Sequence, residues 1–347
     1  MKLVITHTSN STPDSVSLHF KKPIGFNYKA GQYGTFSFLI GNEPFIRTYS
    51  FHTSPDTDPD LGITIRRVNN GVVSTHLLNN KISEVQLNGV TGQFFIETSP
   101  DNERHLIMFA GGSGITPMLS IIKTALHNGP RTTISLIYSN QTFDRIIFKN
   151  ELFDLDKSFQ GRLKVYHVLT KETNAPADFP IYYKERLSKL IIKKLIKNIL
   201  AEVSYPIEYY LSGPYEFMQM TEEAIRSIPL DDIRIHKEHF FIPASPELDF
   251  DTSKFSMREV VIRLKDEEKL LIVDPGKSIL EASLEKGIQL AHSCTKGQCG
   301  VCRAVLISGE VKLRKNHVLS TEELNAGQIL LCQGFPASEN VVVQPLN

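Results

Sequence analysis

The sequence has no net charge, no long apolar run and no cysteine before residue 294. Thirty-eight Lys and Arg balance thirty-eight Asp and Glu, so the chain has no overall electrostatic footprint for nucleic acid or an anionic membrane, and a charged partner must be met by a local patch. The longest apolar stretches, such as Leu187 to Leu200, are broken by Lys189, Lys193, Lys194 and Lys197. None offers the roughly 20 apolar residues that a membrane-spanning helix needs. The N-terminus, Met1 to His7, reaches polar residues too early for the apolar region of a secretory signal, so the expected location is cytoplasmic. Internal repeats and low-complexity tracts are missing too, and the eleven His show no metal-ligand spacing. His76, His236 and His239 are therefore expected to be structural or on the surface. What is present is a globular composition, 41% hydrophobic and 22% charged, far from the balance that keeps chains disordered. At roughly 150 residues per domain, the length suggests two or three compact units.

Three textures follow one another along the chain. Short β-type runs (15–20, 35–39, 46–52, 62–68 and 84–87) separated by Pro, Gly, Asn and Asp clusters predict an antiparallel β-barrel or sandwich over residues 1–101. From residue 102 to 242, apolar strand runs (105–110, 133–138, 163–169 and 207–211) alternate with helical periodicity, the signature of an α/β domain with a parallel sheet. The helix after the first of these runs carries Ile115, Met118, Leu119, Ile122, Ala125 and Leu126 on one face and stops at Gly129 and Pro130. Further helices are expected over 183–202 and 215–227, and the four lysines of the former read as its solvated face. A Pro-, Ser- and Asp-rich stretch over 243–257 reads as a linker. Residues 258–347 form a third unit, opening with strands at 259–264 and 269–273 and a helix at 278–286.

All four cysteines fall in that last unit. Cys294, Cys299, Cys302 and Cys332 are separated by four, two and twenty-nine residues, the plant-type [2Fe-2S] spacing of C-x4-C-x2-C with a distant fourth cysteine. Gly297 and Gly300 would let backbone N–H groups turn toward sulfur. Zinc favours two pairs of closely spaced ligands, and disulfides belong to exported chains.

The other two units carry weaker signals that gain from their order. Arg47, Thr48, Tyr49 and Ser50 sit on a candidate strand; alone, an ordinary strand of alternating exposure explains them. Ile65, Arg66, Arg67 and Val68 then lead into Gly71, Val72, Val73, Ser74 and Thr75, a turn and helix start whose N–H groups suit a diphosphate. Gly111, Gly112, Ser113, Gly114, Ile115, Thr116 and Pro117 follow a strand and open a helix, a pattern that a tight strand-to-helix turn explains equally well. Ser212, Gly213 and Pro214 end a later strand, at the edge where open α/β sheets bind ligands. Tyr138 reads as sheet core.

In this order the motifs resemble the ferredoxin-NADP reductase superfamily: an R-x-Y-S flavin barrel, a G-G-x-G-x-x-P and x-G-P nicotinamide domain, and a C-terminal plant-type ferredoxin. The resemblance covers essentially the whole chain and is strongest to the oxygenase reductases. It implies a β-grasp fold for the last unit and a cluster potential of roughly −400 mV. It gives Arg47 to the flavin phosphates, Tyr49 to the isoalloxazine or ribityl region and Ser50 to flavin N5, with Thr48, Ile65, Arg67, Val73, Ser74 and Thr75 holding the rest. Gly111, Gly112, Gly114, Thr116, Pro117, Gly213 and Pro214 would border the pyridine nucleotide, together with Ser139 and Asn140. Ser50, Ser212, Glu238 and Phe240 would line the hydride-transfer site, Phe240 as the aromatic of an E-x-F signature that covers the flavin. Ser212 departs from the family's cysteine. The segment from Tyr138 to Gln141 offers no cation for a 2′-phosphate before Arg145, so NADH and NADPH both stay open.

Nicotinamide delivers two electrons as a hydride and a [2Fe-2S] cluster accepts one, so a flavin must stand between them. The expected enzyme passes electrons from NAD(P)H through FAD and the cluster to an external protein, the terminal component of an oxygenase or hydroxylase, and is a monomer. The alternatives are an FMN-type reductase like phthalate dioxygenase reductase, a redox-sensing protein without turnover, and a reductase acting on a small molecule.

Overall fold

The computed structural model describes every residue except 42, 173, 178, 231, 241–249, 252–254, 266, 293, 298 and 347. Most of the expected linker, 243–249 and 252–254, therefore lies outside the described residues. The chain divides into two compact units, Met1–Phe240 and Phe241–Asn347.

The first unit opens with six antiparallel strands: β1 (Lys2–Thr12), β2 (Ser15–Lys21), β3 (Tyr33–Ile40), β4 (Glu43–Ser50), β5 (Asp60–Arg66) and, after helix α1 (Val72–Asn79), β6 (Glu84–Thr91). Their order is β4-β3-β6-β1-β2-β5. A single antiparallel bridge from Phe51 to Ile63 links the chain after β4 to β5 and so brings the two outer strands toward each other. Phe20, Phe36, Phe51, Leu61 and Ile63 are fully buried in the middle. Strand β1 escapes a reading of the sequence because only Leu3 and Thr12 of its eleven residues are buried. Its Thr, Ser and Asn run shows no apolar alternation, and pairing with β2 and β6 holds it.

A six-stranded parallel sheet follows: β7 (Arg104–Gly111), β8 (Thr132–Asn140), β9 (Leu163–Leu169), β10 (Ile181–Tyr183), β11 (Ile207–Ser212) and β12 (Arg234–Glu238), with helices α2 (Ile115–Asn128), α3 (Lys149–Ser158), α4 (Lys189–Glu202) and α5 (Tyr215–Arg226). The order β10-β9-β8-β7-β11-β12 reverses direction at β7, so the gap beyond the carboxyl ends of β7 and β11 is the topological switch point. Every residue of β7 is buried, as expected of a strand covered on both faces. The helix expected over 183–202 starts instead at Lys189. Ser188 caps it by accepting the Ile191 N–H, and Tyr183, where the helix was expected to begin, ends the short strand β10. On α4 the buried face is Ile192, Leu195, Ile196 and Ile199, which leaves its lysines on the solvated side. Barrel and sheet share a core, because Ala30, Phe94 and Ile96 pack with α2 and the Ser120 hydroxyl donates to Thr53 O at 2.5 Å.

The second unit is a five-stranded mixed sheet, β14-β13-β19-β15-β17, with a two-stranded ribbon β16-β18. Its elements are β13 (Arg258–Arg263), β14 (Glu268–Val273), α6 (Ile279–Glu285), β15 (Arg303–Ser308), β16 (Val311–Leu313), α7 (Thr321–Asn325), β17 (Gln328–Leu330), β18 (Gly334–Pro336) and β19 (Val341–Pro345). The parallel pairing of β13 with β19 brings the two ends of the unit side by side. Both short helices begin on complete capping boxes, Ser278 with Glu281 and Ser320 with Glu323, which satisfy N–H groups that so short a helix could not otherwise pair.

Among the described residues no helix is long and apolar enough to cross a membrane.

Candidate functional site

The four thiols meet in the loop between α6 and β15 and in the turn after β17. Cys299, Cys302 and Cys332 are each 3% exposed, and Cys294 is half-buried. They approach two by two, Cys294 with Cys299 and Cys302 with Cys332. Two thiol pairs suit two irons. Backbone donors also aim at sulfur: Cys294 N–H to Cys299 Sγ and Lys296 N–H to Cys294 Sγ, both 3.4 Å. The hydrogen bond with Cys302 and the Gly297 N–H lower the pKa of Cys332; the paired thiol and burial raise those of Cys299 and Cys302. Two glycines make this wrapping possible. Gly297 has φ +71° and a Cβ there would lie 2.9 Å from Lys315 O, and Gly300 has φ +67°, a region that disfavours other residues. The residues fit a [2Fe-2S] cluster.

The nucleotide loops are built from backbone contact. After β7, Gly112–Gly114 form one 3-10 turn before α2. A Cβ on Gly114 would overlap the Ser212 carbonyl, and one on Gly111 would lie 2.8 Å from Pro214 Cδ. Gly213, at φ +152°, reaches Gly111 in turn. The two glycine motifs are thus one crossing of two strand ends at the switch point. Thr116 is buried, and its hydroxyl donates to Ser113 O at 3.0 Å; Pro117 is buried in the first turn of α2. Ser139 and Asn140 end β8 beside them. The Ser212 hydroxyl is fully buried without a hydrogen-bond partner among the described residues, an unmet bond of the kind a ligand satisfies. Its strand neighbour is Glu238, 8% exposed, while Phe240 beyond the strand end is 45% exposed.

Two participants were not evident in the sequence. The Tyr138 ring is in the core as expected, but its hydroxyl donates to Gly112 O at 3.0 Å and so buttresses the glycine loop. Arg66, rather than the exposed Arg67, reaches that loop: its Nη1 lies 2.5 Å from where a Gly112 Cβ would be. Asp14 holds it through Nε and Nη2, both at 3.1 Å. The Thr12 hydroxyl and the Arg66 guanidinium outweigh burial and keep the Asp14 carboxyl below its ordinary value. An alternating apolar pattern cannot say which of two adjacent arginines turns toward a loop nearly fifty residues away.

On the barrel, alternation along β4 puts Arg47 and Tyr49 on one face and Thr48 and Ser50 on the other. Arg47 is exposed, Thr48 half-buried and Ser50 5% exposed. The Tyr49 ring lies edge-on to Phe38 at 5.9 Å, and burial pushes its hydroxyl pKa up. Helix α1 starts at Gly71, which has no side chain to cap it, and has no acidic residue in its first turn. Its first N–H groups therefore have no side-chain cap at the N-cap position and no acidic neighbour in the first turn. The side chains of Ile65 and Val73 are in the barrel core, so only their backbones could meet a cofactor. Ser74 Oγ accepts the Val68 N–H at 3.1 Å and donates to Gly71 O at 3.3 Å, closing the turn; Thr75 remains half-buried beside it. These residues fit a flavin diphosphate.

Comparison with known proteins agrees across the chain. Residues 2–96 match the oxidoreductase FAD-binding domain, 108–223 the oxidoreductase NAD-binding domain and 262–337 the 2Fe-2S iron-sulfur cluster binding domain. The ferredoxin reductase component of 3-ketosteroid-9-alpha-monooxygenase from Mycolicibacterium smegmatis is 30% identical, over 99% of this chain and 96% of its own. A component of the 1,2-phenylacetyl-CoA epoxidase of Escherichia coli is 28% identical, over 98% and 96%. The solved structure of phthalate dioxygenase reductase shares the fold, with a TM-score of 0.57 and 22% identity over 99% of this chain and 97% of that one. The relatives are components of oxygenase systems, which speaks for turnover and against a sensor. FAD, a pyridine nucleotide and a [2Fe-2S] cluster are the cofactors, and the protein is an NAD(P)H-dependent electron-transfer oxidoreductase. The chain belongs to the ferredoxin-NADP reductase superfamily, in the oxygenase-reductase branch with a C-terminal plant-type [2Fe-2S] domain.

Proposed function

We propose that the protein supplies electrons to the terminal component of an oxygenase or hydroxylase, working as a cytoplasmic monomer. Its functional parts are residues 1–101 for FAD, 102–242 for NAD(P)H and 258–347 for the cluster, with 243–257 as the tether. FAD held there would supply the change from two-electron to one-electron transfer that separates a nicotinamide from a [2Fe-2S] cluster.

The chain's own residues hold and orient these groups. Arg47 and the first N–H groups of α1 neutralise the flavin phosphates, with Thr75 at the same helix end. Tyr49 would flank the isoalloxazine or ribityl region of the flavin, and Ser50 would supply a hydroxyl to N5. At the switch point the glycines of 111–114 and 213 let the nucleotide approach the backbone, with Thr116, Pro117, Ser139, Asn140 and Pro214 shaping the walls. Arg66 takes the nucleotide's diphosphate, and Asp14 keeps the guanidinium turned toward the loop. The unmatched hydroxyl of Ser212 offers a hydrogen bond to the nicotinamide amide, where the thiol usual in the family would offer a weaker one. Glu238 and Phe240 close the hydride-transfer site from the end of β12, with the exposed Phe240 ring free to yield to nicotinamide. Cys294, Cys299, Cys302 and Cys332 ligate the cluster.

The observation that carries this reading is the crossing of 111–114 with 212–214 beneath Arg66, a cation from the barrel set over a loop of the parallel sheet. Anaerobic rapid mixing tests it: NADH or NADPH should bleach the visible absorbance of the cluster, and persistence of that absorbance with the flavin intact would refute the reading. Replacing Arg66→Ala should raise the KM for the effective nucleotide about tenfold, equivalent to about 1.4 kcal/mol, with flavin content unchanged.

A further inference from the structure

Residues 258–347 are neutral as a whole, with eleven Lys and Arg against eleven Asp and Glu. Their charge is not evenly spread. The three segments gathered round the thiols, 292–302, 311–318 and 330–338, contain Lys296, Lys312, Arg314 and Lys315 with His292 and His317, and no Asp or Glu. Hydrogen bonds tie these segments into one rim. The His317 N–H donates to Gly297 O at 3.0 Å, Gln333 Nε2 donates to Thr295 O at 2.8 Å, and Arg314 Nε donates to the other end of the Gln333 amide at 3.3 Å.

All four basic side chains are exposed. Cys299, Cys302 and Cys332 are buried, so the solvent side of the site is the stretch from Cys294 to Lys296. Among the described residues, acidic groups border the rim: Glu310, 3.9 Å from Lys312; Glu323, paired with Arg303 at 2.6 Å; and Asp251, next in the chain to Phe250, whose ring packs on Phe335 at 5.1 Å. An electron leaves a buried cluster through its thinnest cover, and here exposed basic side chains stand on that cover and on the segment bonded to it.

We infer that this rim is the docking surface for the external electron acceptor and that the acceptor meets it with an acidic face. The inference rests on the proposed function, in which the cluster is the exit point. Opposite charge would speed encounter by 10- to 1000-fold at low salt, an advantage lost as screening shortens the field to about 10 Å at 0.1 M.

The test uses the full-length holoenzyme, NADH or NADPH, and two one-electron probes of opposite charge, acidic cytochrome b5 and basic cytochrome c. The second-order rate to cytochrome b5 should fall at least tenfold between about 10 and 200 mM salt, while the rate to cytochrome c rises or stays level. The double variant Lys312→Glu, Lys315→Glu should lose about tenfold toward cytochrome b5 at low salt and gain toward cytochrome c. Lys312→Gln, Lys315→Gln should fall between it and the native protein. Cluster bleaching by nicotinamide, read in the same samples, should be unchanged in both variants. A cytochrome b5 rate indifferent to salt in the native protein overturns the inference, and needs no variant to fold. Slower bleaching with an unchanged cytochrome b5 rate also overturns it, placing the rim on the internal path. Absence of bleaching in the native protein would instead sink the functional reading beneath it.

Discussion

The cluster site and the nucleotide site solve the same problem, holding a charged redox group, by opposite means. The cluster site is local: three of its four ligands lie within nine residues, Cys294 to Cys302, and the loop's own N–H groups point at the sulfurs. The nucleotide site is assembled. Gly114 and Ser212 are far apart in sequence and in backbone contact in space, and Arg66 comes from another sheet. A local site depends on a few ligands and a permitted backbone; an assembled one depends on close packing at the place where strand ends cross. Damage to the first should be complete and confined, and damage to the second graded and shared.

The sharpest separation should come from Cys332→Ala. Loss of one thiolate should abolish the visible iron–sulfur absorbance and reduction of protein acceptors, while NAD(P)H-driven ferricyanide reduction through the flavin persists. If ferricyanide reduction vanished as well, the two sites would not be separable. Next in size is Gly114→Ala, whose methyl group would overlap the Ser212 carbonyl. Forcing the crossing apart should cost about 1–3 kcal/mol, read as a 10- to 100-fold rise in KM for the nucleotide with a full complement of iron. An unchanged KM would mean the crossing is not the nucleotide's seat.

A third effect, felt only in acid, concerns how the assembled unit is held at the opposite end of the sheet. There Glu208 accepts from His236 Nε2 at 3.1 Å and pairs with Arg104 Nη1 at 3.0 Å, while Arg104 Nη2 donates to Glu97 O. The His236 bond, then Arg104, lower the Glu208 pKa from 4.5 to about 2 against the opposing effect of burial. The group binds its proton less readily folded than unfolded, so its contribution is complete above about pH 4.5 and is lost as pH falls toward 2. Urea midpoints of the native protein should drop over that interval by the equivalent of about 2–3 kcal/mol, and Glu208→Gln should flatten the drop. A variant as acid-sensitive as the native protein would remove this network from the account.

The reductase order of the chain was legible because its signals are spacings: the cysteines, the Gly-rich turn after a strand, and the Arg-x-Tyr-Ser run. So were the sheet strands with continuous apolar runs, and the lysine face of α4. Polar β1 was not, since most of its side chains face water and only its partners hold it. Nor was the true start of α4, where Ser188 takes over as the cap.

By itself, then, the sequence determined the ligand spacing of the cluster and the order of the three units, because cysteine spacing and the succession of strand and helix patterns are properties of short segments, and the order of its motifs carried the resemblance that implied the flavin and the nicotinamide. Only the tertiary structure decided that two glycine motifs form one crossing, that Arg66 and not Arg67 faces it, and that separate acid-free segments of a neutral domain meet around the thiols. Those facts depend on which distant segments come within a few ångströms of each other, a matter settled by strand order and packing and not by any single stretch of chain.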